Sequence, residues 1–287
     1  MTCVVATVLV HDNPTGLREV VRHLAAQERR PDAVVIVDNA SAAAVSLSDM
    51  DLRGMPAQLA RSERNLGVGA GHNLGVRVAR DVYEADVVWV LEHDTLPDAG
   101  CLAALLSERS HHQDLVVVVA ELVRNNYERG WLDLAADGEL LDRCTFNGPL
   151  IDVGVIDAVG VFNESYFVGQ EDWEFSQRVV AASFPILRCS SAVAVHAHKG
   201  DQRFGGYVSP TRLYYSSRNL LAAQLPLGVA TQLLELLLVS GKSVRELSRK
   251  NRGGRYAAAR WWAYWDGRSG RLGERHHRSV SGPSALG

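Results

Sequence analysis

The sequence predicts an α/β protein with a mostly parallel central sheet flanked by helices, followed by a helical C-terminal extension. Three observations carry this prediction. Short apolar runs of strand length alternate with segments of helical periodicity along the first part of the chain. Polar and acidic residues follow two of those runs directly, at Asp38-Asn39 and at Glu92-His93-Asp94, where ligands of open α/β sheets collect. From Thr211 onward only helical patterns remain.

The elements follow in order. Val4 to Val10 is a compact β-branched run and reads as the first strand. Gly16 to Gln27 repeats apolar residues at helical spacing through Leu17, Val20, Val21 and Leu24. Ala33 to Val37 is a second strand, and Gln58 to Arg61 a weaker third. Gly69 to Val82 reads as a helix, Ala85 to Leu91 as a strand, Cys101 to Glu108 as a helix after Pro97, and Leu115 to Ala120 as a strand. Residues 121–147 are polar and irregular, with a turn expected at Asp137-Gly138, and a second α/β stretch spans Gly148 to Val195. Helices are expected over Tyr214 to Gln224, Leu225 to Leu247 and Arg255 to Trp265. The expected organisation is an α/β domain over 1–210, a helical extension over 211–274 and a disordered tail over 275–287.

Bulk properties narrow the function classes. The 287 residues, 47% of them hydrophobic, support a substantial core. A formal charge of −3 gives no basic stripe for nucleic acid. Cys3, Cys101, Cys144 and Cys189 are widely spaced with no CxxC pair, so reduced thiols in a cytoplasmic protein are expected. The start MTCVVATVLVHDNP reads as a strand and not as a signal peptide. The most apolar stretch, Leu225 to Val239, is interrupted by Thr231, Gln232 and Glu235 and falls short of the ~20 residues a membrane span needs.

Several constellations carry chemistry, each with an ordinary alternative. Gly169-Gln170-Glu171-Asp172-Trp173-Glu174 sets three carboxylates after the apolar and aromatic residues Val161, Phe162, Tyr166 and Phe167. Carboxylates at the edge of an apolar wall gain basicity and suit proton abstraction. The same acids also suit the first turn of a helix. Glu92 and Asp94, at i and i+2 on an extended segment, point the same way and can offer hard oxygens to a divalent cation, or simply close a strand in water. His196-Ala197-His198 ends another apolar strand and can share a metal, or serve as structural histidines. Asn65 to Asn73 is glycine-dense before a helix but matches no dinucleotide fingerprint; a backbone approach to a nucleotide and a plain tight turn are equally good readings. Ser240-Gly241-Lys242-Ser243 lacks the upstream glycine of a phosphate loop, since Leu236 stands there. The doublets His111-His112 and His276-His277 lie in polar surroundings and read as surface features.

Taken in order, these pieces resemble the family 2 glycosyltransferases, in their bacterial rhamnosyltransferase-like and galactofuranosyltransferase-like branch. Ala6 to Asn13 looks like that family's first strand and donor loop. Val35-Ile36-Val37-Asp38-Asn39-Ala40-Ser41 is similar to its nucleoside-contacting segment, and Asn65 to Gly75 follows its NxGxAxGxNxG pattern. Leu91 to Thr95 takes the place of its DxD motif, with Glu92 where the first aspartate stands. Val159 to Glu164 followed by Glu171-Asp172 matches the region of the catalytic base, and Val195-His196 the late metal histidine. Tyr214-Tyr215, Arg218-Asn219 and Trp265 to Gly273 are similar to its C-terminal pattern, so the likeness runs from about residue 3 to 273.

That resemblance implies a GT-A fold and inverting transfer from a dTDP- or UDP-sugar to an acceptor hydroxyl on a glycan, a lipid-linked sugar or a small natural product. It implies Asp172 as base, aided by Glu171, and donor contacts from His11, Asp38, Asn65, Gly71, Asn73, Glu92 and His93. Trp173 and Gly148 are expected on the acceptor or sugar side. Mg²⁺ or Mn²⁺ is expected at Asp94 and His196, with Glu92 and His198 as further ligands. Leu233 to Leu238, Trp261, Trp262, Trp265 and the basic residues Arg245 to Arg255 are compatible with a homodimer or with peripheral contact at the inner face of a membrane. A sugar-nucleotide sensor without turnover and a nucleotidyltransferase are the alternatives. The first is disfavoured by the intact Asp172, the second by the missing basic glycine loop near the start.

Overall fold

The structure is a computed structural model, and it describes residues 2–124, 140–197, 210–223, 237, 238, 240, 242 and 253–272. The expected turn at Asp137-Gly138, His198, most of Leu225 to Leu247 and the 275–287 tail lie outside the described residues. Within them the chain forms two compact units, one of residues 1–164 and 172–200, the other of 165–171 and 201–287.

The first unit is built on an eight-stranded sheet of order β3-β2-β1-β4-β7-β6-β8-β5. Its strands are β1 (Val4–Val10), β2 (Ala33–Asn39), β3 (Ala57–Ser62), β4 (Val87–Glu92), β5 (Thr95–Pro97), β6 (Val117–Arg124), β7 (Leu150–Asp152) and β8 (Ile186–His196). The block β3-β2-β1-β4 is parallel, as is β6-β8, while β7 joins β4 to β6 antiparallel and β5 pairs antiparallel with β8. β1 and β2 are buried at every position, as expected of parallel strands covered on both faces. Alternation along β1 divides the core: Val4, Ala6, Val8 and Val10 join one cluster with Leu17, Leu24 and Trp89, and Val5 and Leu9 join another with Val35, Val88, Phe162 and Phe175.

Helix α1 (Pro14–Ala25) starts two residues earlier than its apolar pattern suggests, because Asn13 accepts from Gly16 N and Pro14 suits the first turn. Helix α2 (Val68–Tyr83) begins after Gly67 at φ 85° and ends on Glu84 in the left-handed region. It lies close on the sheet because it lacks side chains there: a Cβ on Gly75 would stand 3.1 Å from both Thr7 Cβ and Val37 Cγ2. Helices α3 (Cys101–Ser110), α4 (Val153–Val159) and α5 (Glu171–Ala181) complete the flanks. The sequence pattern gave no separate sign of β5, β7 or α4. β5 and β7 have three residues each, too short for an alternation to register. Strand β6 runs to Arg124, past the expected Ala120, through a register shift at Ala120/Glu121.

The second unit holds α6 (Pro210–Ala223) and α7 (Gly253–Arg268), whose core is Leu213, Tyr214, Tyr215, Ala259 and Ala263, with Phe167 and Val168 against it. Trp261, Trp262 and Trp265 are exposed on α7. Among the described residues no helix is long and apolar enough to cross a membrane, and all four cysteines are free.

Candidate active site

The parallel strands β1, β2 and β4 end side by side, with His11 just beyond β1, Asn39 closing β2 and Glu92 closing β4. His11 Nδ1 lies 2.9 Å from the Asn39 carbonyl and its Nε2 lies 3.4 Å from Asp12. Asp38 is fully buried. It accepts from Ser41 N at 2.9 Å and Val45 N at 3.3 Å and pairs with Arg61, which also donates to Ser41 O. Burial alone would raise its pKa, but the bonds from Ser41 and Val45 and the Arg61 charge hold it below the usual carboxylate range. Its carboxylate therefore shapes the loop after β2 from within.

Asn39 stitches the glycine-dense loop to this edge. Its Nδ2 donates to Asn65 Oδ1 at 3.1 Å and to Gly67 O at 3.0 Å, while its Oδ1 accepts from Leu66 N at 2.8 Å. Asn65 Oδ1 also accepts from Gly67 N. Gly71 faces the sheet, where a Cβ would come within 2.5 Å of Leu9 Cδ1 and 3.3 Å of Asn39 Nδ2. Asn73 is fully buried, and its amide is taken up by Phe162 and Glu164. Of the two readings open for this loop, tight packing of a helix start on the sheet accounts for the contacts of Gly71 and Asn73.

At the end of β4, Glu92 is in register with Leu9, and His93 N donates to Leu9 O at 3.0 Å. Burial lowers the His93 pKa, opposed by the neighbouring Asp94 charge; His11 and His196 lie close enough to act on it too. The antiparallel pairing of β5 with β8 sets Thr95 opposite His196. This brings Asp94 Oδ2 to 3.4 Å from His196 Nε2, and Ala197 N donates to Asp94 O at 2.8 Å. Among the described residues no group of three His, Cys, Asp or Glu side chains is arranged to hold a metal. One carboxylate and one imidazole make a donor set suited to a cation that takes its remaining ligands from phosphate oxygens and water.

Asp172 stands in the first turn of α5, where its Oδ1 accepts from Trp173 N at 2.7 Å. Desolvation raises its pKa against the opposing Trp173 N–H and Arg143 charge, the direction a general base needs. Ser176 Oγ donates to the Asp172 carbonyl at 2.7 Å and accepts from Cys144 N at 2.9 Å. Three residues on, Asn147 Oδ1 accepts from Thr95 Oγ1 at 2.9 Å. Gly148, at φ 101°, accepts from Trp89 Nε1 at 2.9 Å through its carbonyl. The strip from Arg143 to Gly148 thus runs from a charge that acts on Asp172 to contacts with Thr95 and Trp89. Trp173 is half-buried. Glu174 is paired along the helix with Arg178 at 2.9 Å, and Glu171, first in the helix, is buried.

Sequence reasoning missed Arg61, Arg143 and Asn147. The last two lie in the region read as polar and irregular; the one available signal was a polar residue between Phe146 and the φ-permissive Gly148.

The mixed, largely parallel sheet flanked by helices is the GT-A fold of glycosyltransferases. Crystal structures of S. aureus TarS share that fold: one superposes with a TM-score of 0.64 at 16% identity, covering 95% of this chain and 50% of that one. A TarS 1–349 complex with UDP-GlcNAc gives 0.62 at 18% identity, covering 95% and 83%. The chain thus spans about half the length of the longer TarS chain. The signature described as glycosyl transferase family 2 matches residues 6–159. The chain belongs to that family, whose members move a sugar from a nucleotide-sugar donor. Among curated proteins it is similar to the galactofuranosyltransferase GlfT1 of Mycolicibacterium smegmatis, 29% identical over 222 residues, 69% of this chain and 72% of that one. GlfT1 of Mycobacterium tuberculosis is 28% identical over 221 residues, 69% and 71% of the two chains.

Proposed function

We propose that the chain is an inverting transferase that moves a hexosyl or deoxyhexosyl group from a UDP- or dTDP-sugar to a hydroxyl of a glycan, a lipid-linked sugar or a small natural product. The observation that carries this is the Asp94–His196 pair, 3.4 Å apart beyond the parallel strand ends. A carboxylate and an imidazole held together at a strand edge, both still partly open to solvent, suit the diphosphate end of a donor and a cation bridging to it.

The residues divide the work by chemistry. Asp172 takes the proton from the attacking acceptor hydroxyl, helped by a pKa raised through desolvation. Glu171 orients the acceptor, and Trp173 offers an aromatic face to a sugar ring. Asp94 and His196 fit a Mg²⁺ or Mn²⁺ ion, which when bound supplies Lewis-acid stabilisation of the charge building on the leaving diphosphate. The Asn39–Asn65–Gly67 bonds hold the nucleotide-side loop rigid before the donor arrives. Asp38 acts on the nucleoside side by fixing the Ser41 to Val45 turn.

Likeness to the galactofuranosyltransferase GlfT1 makes galactofuranose the first sugar to test, and the TarS complex with UDP-GlcNAc makes UDP the first nucleotide. A thermal-shift screen of UDP-galactofuranose, UDP-GlcNAc and dTDP-sugars with Mn²⁺ identifies the donor by mass-action stabilisation. With that donor, Asp172→Asn is expected to abolish transfer while UDP binding persists. Near-normal turnover in Asp172→Asn would remove Asp172 as base.

A further inference from the structure

We infer that Arg218 and Asn219 of α6 are positioning residues for the catalytic base: they clamp the seven-residue segment that delivers Asp172. This role rests on Asp172 acting as the base.

The segment Ser165–Glu171 belongs to the second unit, and its backbone is held there at both ends. Arg218 is fully buried. It donates through Nη2 to Ser165 O at 2.8 Å and through Nη1 to Leu272 O at 3.1 Å. Its guanidinium lies over Tyr215 at 4.8 Å and near Tyr214 at 5.6 Å, and Nε donates to Asn219 Oδ1 at 2.9 Å. Those bonds fix the Asn219 amide so that Nδ2 points at the segment's far end, donating to Gly169 O at 2.7 Å and Val168 O at 3.3 Å. Tyr166 Oη donates to the Asn219 carbonyl at 3.2 Å. Phe167 and Val168 seat against the α6–α7 core between these anchors.

The clamp acts where the backbone is least tolerant. Gly169 and Gln170 both have positive φ, 83° and 71°, and Gln170 carries a side chain in a region few such residues adopt. A Cβ on Gly169 would overlap Ser216 Oγ and stand 3.2 Å from Ser216 Cβ. Two left-handed residues in succession turn the chain into α5, whose second residue is Asp172. Asn219 holds the carbonyl of the first of them. A buried arginine with nearly every donor assigned, joined to an asparagine that reads two consecutive carbonyls, specifies one conformation of a strained turn. Such supporting contacts set geometry, and about 1 Å of displacement can cost on the order of 10²-fold in rate.

The test is Asn219→Asp in the full chain. Aspartate keeps the Oδ1 acceptor for Arg218 but turns the donor aimed at Val168 and Gly169 into a second acceptor. The expected result is a kcat at least tenfold lower, read as UDP release from UDP-galactofuranose (or from UDP-GlcNAc if wild type turns that over instead). UDP affinity in calorimetry stays within twofold, the acid limb of the kcat profile shifts, and amide exchange quickens over residues 165–172. Gly169→Ala, which strains the same turn without touching Arg218 or Asn219, is expected to do the same, and it decides the matter if Asn219→Asp fails to fold. Wild-type kcat and pH limb in either folded variant, with exchange over 165–172 quickened, would overturn the positioning role and leave Asp172 as base. Turnover surviving in Asp172→Asn would overturn the base assignment and the clamp's catalytic role together, whatever the Asn219 result.

Discussion

The amide of Asn73 closes a two-bond ring with the backbone of Phe162: its Nδ2 donates to Phe162 O at 2.8 Å, and its Oδ1 accepts from Phe162 N at 3.0 Å. The same Nδ2 reaches Glu164 Oε1 at 3.0 Å. A buried side chain here stands in for a missing strand partner and ties α2 to the loop that leads toward α5. Asn73→Ala leaves a buried N–H and carbonyl without their bonds, and an orphaned buried polar group costs about 1–3 kcal/mol. The expected loss in urea unfolding is about 2–4 kcal/mol with an unchanged m-value. A loss below about 0.5 kcal/mol would mean that water or a backbone shift replaces the ring.

Asp172 offers a second prediction whose sign follows from its raised pKa. Desolvation places the folded-state value above the unfolded one. The group therefore favours the fold while protonated, at low pH, and opposes it once pH rises through the folded value. At neutral pH the desolvated carboxylate is a burden on stability, so Asp172→Asn should raise the melting temperature while stopping transfer. A lower melting temperature would show that the carboxylate is chiefly structural.

Arg143 tunes the same acid. Its charge lowers the Asp172 pKa against desolvation, so Arg143→Gln should move the acid limb of the kcat profile to higher pH. Turnover well above that limb should persist. An unmoved limb would separate Arg143 from the titrating group.

His72 sits fully buried, edge-on to Phe146 at 5.1 Å and Phe162 at 6.2 Å, and neither ring nitrogen has a hydrogen-bond partner. Desolvation lowers its pKa from 6.5 to about 3. The fold accepts only the neutral ring, so this contribution is whole above pH 6.5 and is lost progressively toward pH 3. At 1.36 kcal/mol per unit the full loss is roughly 4–5 kcal/mol. His72→Leu should flatten stability between those limits and, by removing two unpaired nitrogens, raise it at neutral pH. Identical pH dependence in wild type and variant would show that the ring finds a partner in solution.

The parallel half of the fold was legible because β1, β2 and β4 are continuous β-branched runs and α1 carries a clean apolar stripe. Short strands were not, since three residues such as Thr95–Pro97 hold no period, yet β5 is the element that sets Asp94 against His196. The site was legible as residue types in order and less so as contacts. Nothing in the sequence says that the Asp38 carboxylate is spent on Ser41, Val45 and Arg61, or that Asn73 faces Phe162 across 89 positions. Such long-range pairings depend on how helix and loop meet, which composition and spacing do not encode.

The last prediction concerns Asp94 and His196, whose approach depends on a single short ladder. Thr95 pairs with His196 and Ala197 N donates to Asp94 O, so backbone bonds hold the two side chains 3.4 Å apart. Two protein ligands alone bind Mg²⁺ or Mn²⁺ weakly, and the diphosphate must complete the set. Metal and nucleotide should therefore bind with mutual, reciprocal enhancement. In calorimetry, Mn²⁺ should tighten UDP binding to wild type at least tenfold, about 1.4 kcal/mol. Asp94→Ala should remove that enhancement while leaving metal-free UDP binding unchanged or slightly stronger, because a negative charge near the diphosphate is gone. His196→Ala should reduce the enhancement less, since a neutral imidazole contributes no net charge to the cation. Equal UDP affinity with Mn²⁺ and with EDTA in wild type would mean that the Asp94–His196 pair works on the diphosphate directly, and the pair would then need testing as a proton donor to the leaving group.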